Sequence, residues 1–337
     1  MNDQRSGILS GGNWIVDFVK LIDVFPQQDA LANIASVSKG TGGAPFNVLV
    51  DLAIMGAKFP LRGAGLIGND DNGRWILDTC KKHRIDVSRL ITTDAAPTSF
   101  TDVMTVKSSG RRTFFHARGA NALLGPEHFD FAKETAKIFH YGYLLLLDKM
   151  DEPSATHGVV AAEVLDRATK AGLKVAIDCV SEDSDRFPRI VKPALKHADY
   201  CIMNEFEAGR VTGRRVRHGD TLDRAGLRDA MQALLEEGVR ERVIVHFPEG
   251  ACALGRDGKW HEHSSVIHPP GFIKGTAGAG DAFAAGVLLG WHDGLPVETQ
   301  LRYGVCAAAA NLTDETCTGG MMPLAGCLAL GEKYGYQ

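Results

Sequence analysis

Lys174-Val175-Ala176-Ile177-Asp178 and Asp199-Tyr200-Cys201-Ile202-Met203-Asn204 are two short apolar runs, each closed by a polar residue, on either side of a helical stretch at about 189–196. Upstream, an apolar run at 137–147 and a helical pattern from Pro153 to about Lys170 continue the same alternation. Helices between short apolar strands predict βαβ units and a mainly parallel, doubly wound sheet. Ligands of such sheets gather beyond the C-terminal strand ends, which singles out Asp178 and Asn204. Asn204 opens Asn204-Glu205-Phe206-Glu207, in which an amide and a carboxylate three residues apart can share one helix face. Such oxygen donors suit magnesium, often through water, and the same spacing is a helix-capping pattern. The residues alone leave both readings open.

Outward toward the C-terminus lies Lys274-Gly275-Thr276-Ala277-Gly278-Ala279-Gly280-Asp281, followed by the apolar run Ala282 to Gly290. Three glycines remove β-carbons that would keep a phosphate from the backbone, and the loop empties into a buried helix. A helix N-terminus offers unpaired N–H groups and partial positive charge, an anion site. The outline resembles a P-loop, but the Lys-Ser/Thr pair is missing and Asp281 stands where the Lys would be. A carboxylate there is a poor phosphate ligand and a good base for an alcohol attacking a phosphoryl group. The competing reading gives Asp281 only a favourable place in a helix first turn.

The bulk numbers exclude other classes. With 337 residues, 45% of them hydrophobic, the chain can bury a large core, and one main domain over 1–337 is expected. A net charge of −4 offers no field for nucleic acid. Seven cysteines without a C-x-x-C pair read as reduced thiols, and no run approaches the length of a membrane span, so a cytoplasmic protein is expected.

Toward the N-terminus, Trp14-Ile15-Val16 reads as a strand ending in Asp17, a position from which a carboxylate meets ligands. Gly42-Gly43-Ala44-Pro45-Phe46-Asn47 leads into a helix, and Asn47 projects from its first turn. Gly63-Ala64-Gly65-Leu66-Ile67-Gly68 satisfies the dinucleotide fingerprint literally, yet its ends read as strand then turn rather than turn then helix. It carries the alternative of an NAD(P)-dependent oxidoreductase. Thr98 to Val106 and Arg111 to Ala117 form an expected hairpin, and Arg118-Gly119-Ala120-Asn121 leaves it.

Asp17, Gly42-Gly43-x-x-x-Asn47, Asn204-x-x-Glu207 and Gly278-Ala279-Gly280-Asp281, in this order, make the chain resemble the ribokinase/PfkB family of sugar and nucleoside kinases, with a fructokinase-like N-terminal signature. The resemblance implies a ribokinase-like α/β fold whose lid strands come from about 18–40 and 98–117 and pair in a homodimer. It implies ATP and Mg2+ as cofactors, and transfer of phosphate to a fructose- or ribose-like sugar. Asp281 becomes the general base, with Gly278, Ala279 and Gly280 in the anion hole; Asp17, Gly42, Gly43, Asn47 and Asn121 line the sugar site. Asn204 and Glu207 support Mg2+, through water, and the nucleotide; Thr276, Ala277, Gly278, Gly250 and Asn311 border the nucleotide. The family usually opens the glycine loop with Asp where this chain has Gly275, so activation by a monovalent cation is not carried over. The turn His246-Phe247-Pro248-Glu249-Gly250 keeps only the last glycine of the family's Thr-x-Gly-x-x-Gly. A nucleoside kinase of the same family, and a non-catalytic sugar-binding or regulatory protein, are the alternatives within this fold.

Overall fold

The computed structural model describes residues 5–337. Its centre is a nine-stranded sheet in the order Trp260–Ser264, Gly250–Gly255, Arg242–Phe247, Tyr200–Asn204, Lys174–Cys179, Ile138–Leu144, Ile8–Gly12, Leu61–Gly68, Asp86–Thr93. All neighbours from Arg242–Phe247 to Asp86–Thr93 are parallel, and the first two strands add an antiparallel edge.

Unbroken apolar strands are what a sheet covered on both faces requires. Val175 and Ile177 join one buried cluster while Ala176 between them joins the other. Cys201 and Met203 alternate in the same way with Tyr200 and Ile202, and Val243 and Val245 with Ile244. Helices Val160–Lys170, Phe187–Leu195 and Arg224–Glu236 supply the first cluster; Ala44–Met55, Ala279–His292 and Val297–Asn311 supply the second. The expected helix from Pro153 starts only at Val160, because Pro153–Ser154 pairs with Gly158–Val159 in a small ribbon. All seven cysteines are buried and free.

A separate four-stranded sheet, in the order Ile34–Gly42, Ile15–Ile22, Phe100–Val106, Arg112–Ala117, stands over the C-terminal strand ends. It is the expected lid. Trp14-Ile15-Val16 is divided differently from the sequence expectation: the core strand is Ile8–Gly12, and Ile15 already begins the lid strand that carries Asp17. The small residues Ser10-Gly11-Gly12 hid that core strand from an apolar pattern. The Gly63–Gly68 fingerprint is also a packing device. It lies inside strand Leu61–Gly68, where a β-carbon on Gly63 would fall 2.6 Å from the Trp14 ring and one on Gly65 2.5 Å from it. Trp14 is fully buried there, its indole N–H donating to the Ala64 carbonyl at 2.9 Å. The glycines receive an indole rather than a pyrophosphate.

Candidate active site

Between the lid and the strand ends lies a cleft of about 940 Å3. Its floor is the loop Thr276-Ala277-Gly278-Ala279-Gly280 and the start of helix Ala279–His292. Gly278 caps that helix with φ 78°, a left-handed conformation that favours glycine, and a β-carbon on it would fall 2.7 Å from Cys317 Cα. The loop therefore sits flush against the 317 segment, with the first helical N–H groups free of side-chain caps.

Asp281 lies in the first turn of this helix and is 5% exposed. Asn47, from the first turn of helix Ala44–Met55, donates its amide to Asp281 Oδ2 at 2.7 Å. The Tyr143 hydroxyl stands 2.9 Å from each carboxylate oxygen. Burial pushes Asp281 up to about 6, against the lowering pull of these hydrogen bonds. A carboxyl whose proton affinity is raised toward neutrality is the better proton acceptor, a condition for a general base.

Asp17 faces the same cleft from the lid, with Cys317 Sγ 3.4 Å from its Oδ2. Burial raises it to about 7. Gly42 is required beside it, since a β-carbon there would lie 2.7 Å from Asp17 Cγ; Gly43 makes the turn into helix Ala44–Met55. Neither glycine lines the cleft; they bring Asp17 to it and Asn47 to Asp281.

Asn204 and Glu207 form a full capping box: the Glu207 N–H donates to Asn204 Oδ1 at 2.8 Å and the Asn204 N–H to Glu207 Oε2 at 2.9 Å. They also line the cleft, so both sequence readings describe the same residues. Ser181 donates to Glu207 Oε1 at 2.6 Å. Burial raises Glu207 to about 7, and burial together with Asp281 and Glu207 holds Asp178 well above the carboxylate range. Among the described residues no group of three His, Cys, Asp or Glu side chains is arranged to hold a metal directly. Asp178 and Glu207 instead offer a hydrated divalent cation oxygen donors whose mutual repulsion it would relieve, which fits magnesium bound through water.

Gly250 and Thr276 line the cleft as expected, and Arg112 reaches down from the lid to donate to Thr276 Oγ1. Like Gly42, Gly43 and Asn47, the expected residues Asn121 and Asn311 do not line it. Asn121 is fully buried with its amide spent on the Trp14 main chain, accepting from N at 3.3 Å and donating to O at 3.2 Å. Asn311 is fully buried at the end of helix Val297–Asn311 and donates to the Cys317 carbonyl. Each braces a segment next to the site, Asn121 through both ends of its amide and Asn311 through its N–H alone, its Oδ1 being left without a partner. The residues that sequence reasoning missed are Tyr143 and Arg112. Tyr143 lies inside the apolar run 137–147 and Arg112 in a hairpin, and neither carries a motif.

A buried carboxylate beside the open N-terminus of a helix, at the C-terminal edge of a parallel sheet and under a β lid, defines a phosphotransferase that acts on an alcohol. The chain belongs to the pfkB family of carbohydrate kinases, whose profile matches residues 8–323. It is 28% identical over 296 residues to fructokinase-2 of Oryza sativa subsp. japonica, covering 84% of this chain and 79% of that one. It is 27% identical over 308 residues to the ATP-dependent ribose-1-phosphate kinase of Halopiger xanaduensis, covering 90% of each. Arabidopsis thaliana ribokinase, solved with ribose and ATP, shares the fold at a TM-score of 0.77 and 20% identity, over 97% of this chain and 98% of that one.

Proposed function

We propose that this enzyme transfers the γ-phosphoryl group of ATP, with magnesium, to a hydroxyl of a small fructose- or ribose-like sugar. The observation that carries the reading is Asp281, buried one residue past Gly280 and facing the cleft. Asp17 and Asn47 hold the sugar so that its acceptor oxygen meets Asp281. Asp281 takes the hydroxyl proton as the oxygen attacks, and the amides of Ala277 to Gly280 receive the charge developing on the transferred group. Asp178, Asn204 and Glu207 would hold a hydrated magnesium ion, which would supply charge neutralisation at the phosphates. Gly250, Thr276 and Ala277 border the nucleotide side. A neutral sugar is favoured because Asp17 is a hydroxyl ligand and the fructokinase relative is an overall match.

A panel of sugars and nucleosides, each with ATP and magnesium, tests the reading by product formation. Turnover of fructose or ribose above the nucleosides is expected; turnover of nucleosides alone would shift the function to the nucleoside branch of the family. No turnover of any polyol would favour a non-catalytic sugar-binding role.

A second copy of the chain is the partner we propose for the lid. Val37 is 57% exposed and Phe115 52%, large apolar side chains that the register puts on the same face of the small sheet, the one turned away from the cleft. Light scattering at micromolar concentration should report a dimer, and a monomer would refute the lid contact.

A further inference from the structure

The proposed mechanism uses one oxygen of Asp281 as proton acceptor and leaves Tyr143 without a task, although its hydroxyl is 2.9 Å from both Oδ1 and Oδ2. Asn47 already serves Oδ2 at 2.7 Å. Oδ1 has Tyr143 as its hydrogen-bond partner, and Asp281 lines the cleft. The Tyr143 main chain is tied to Asn13, its N–H donating to Asn13 Oδ1 at 2.6 Å, and the side chain lines the cleft. A phenol O–H beside a carboxylate is a donor of the same kind as a sugar O–H.

We infer that Tyr143 is a positioning residue for Asp281: its hydroxyl holds the carboxylate ionised and turned to the cleft, in the place that the acceptor hydroxyl takes when sugar docks. The inference rests on the base role proposed for Asp281. No atom is transferred to or from Tyr143; its proton stays on the phenol oxygen throughout, and burial keeps that phenol well above its usual range.

The surroundings make such a donor necessary. Asp51 from helix Ala44–Met55, Asp178 from strand Lys174–Cys179, Glu207 from helix Glu205–Thr212, Asp17 from the lid and Cys317 all face the Asp281 region and share its field. His246, on the strand beside Gly280, is held neutral by burial and brings no positive charge. Among the described residues Arg112 is the one lysine or arginine that lines the cleft, and its guanidinium is bonded to Thr276. Hydrogen bonds from Asn47 and Tyr143 are what favour the ionised form of Asp281.

The test is the pH profile of kcat/KM for Tyr143→Phe, which keeps the ring and deletes the donor. Wild type should show an acid limb near 6. In Tyr143→Phe that limb should move up by about one pH unit, with activity returning to within a few-fold of wild type at pH 9. A pH-independent loss, or a limb that stays in place, overturns the positioning role. A wild-type profile with no acid limb overturns instead the base role of Asp281, so the two failures are distinguishable. Should Tyr143→Phe fail to fold, 3-fluorotyrosine at the same position supplies a stronger donor, and the limb should then move down; an unmoved limb again overturns the inference.

Discussion

Asn47 and Asp281 are 234 positions apart in the chain and share a 2.7 Å hydrogen bond between buried side chains. Each comes from the first turn of its helix, Ala44–Met55 or Ala279–His292. The N-terminal glycine signature and the C-terminal one thus meet at a single point: the first brings the Asn47 amide, the second the Asp281 carboxylate and the glycine loop, and in the proposed mechanism the acceptor hydroxyl docks there.

Deleting this contact with Asn47→Ala removes a hydrogen bond to a charged group, worth about 1.5–3 kcal/mol. We expect kcat/KM to fall by about 10–150-fold, with the acid limb displaced to higher pH because a stabiliser of the carboxylate is gone. Steady-state kinetics between pH 5 and pH 9 provide the check, and unchanged kcat/KM would separate Asn47 from the reacting hydroxyl.

Gly278 is tested by Gly278→Ala. Its φ of 78° costs a non-glycine residue about 1–3 kcal/mol, and the added methyl would meet Cys317 Cα at 2.7 Å. The melting temperature should drop by several degrees, and turnover should fall by more than tenfold at a temperature where the variant is folded, since the amides that follow are displaced. Full activity in the folded variant would show that the loop amides do not need this placement.

Asp17 gives a pH-dependent stability. Its folded value of about 7 lies above that of an unfolded carboxyl, so the folded protein retains a proton that the unfolded chain releases. The penalty of burying the charge is absent below about pH 4, grows as pH rises, and is complete above about pH 7. Asp17→Asn should therefore raise the melting temperature by a few degrees at pH 8 and leave it unchanged at pH 4, while weakening sugar binding. Thermal melts at the two pH values decide it; an equal shift at both would place the effect in packing rather than in ionisation.

Much of this was legible in the sequence because local rules carried it. Val175-Ala176-Ile177 announced a strand covered on both faces, and Asp178 and Asn204 announced the ligand edge. Gly278 to Asp281 announced the loop, since three glycines ahead of an apolar helix have few other uses. What could not be read depended on partners distant in the chain. Nothing near Gly63 says that an indole from Trp14 fills the space its missing β-carbon leaves. Nothing near Asn121 says that the Trp14 main chain takes both ends of its amide. Tyr143 resembles any aromatic at a strand end until Asp281 is placed against its hydroxyl. Asp17 does line the cleft, but from a lid strand rather than the core strand expected, because Ser10-Gly11-Gly12 lacks the apolar signal that marks the core strand.

The central claim is that Asp281 accepts the proton of the attacking hydroxyl, and Asp281→Asn tests it most directly. The substitution keeps size and hydrogen bonding and removes the proton acceptor. We predict that kcat falls by about 10²–10⁴-fold, with sugar and ATP affinities within a few-fold of wild type and the melting temperature, measured on the same preparation, not lowered. Turnover within tenfold of wild type, accompanied by a stability loss of about 0.3–1 kcal/mol, would reduce Asp281 to a helix-dipole partner and contradict the mechanism.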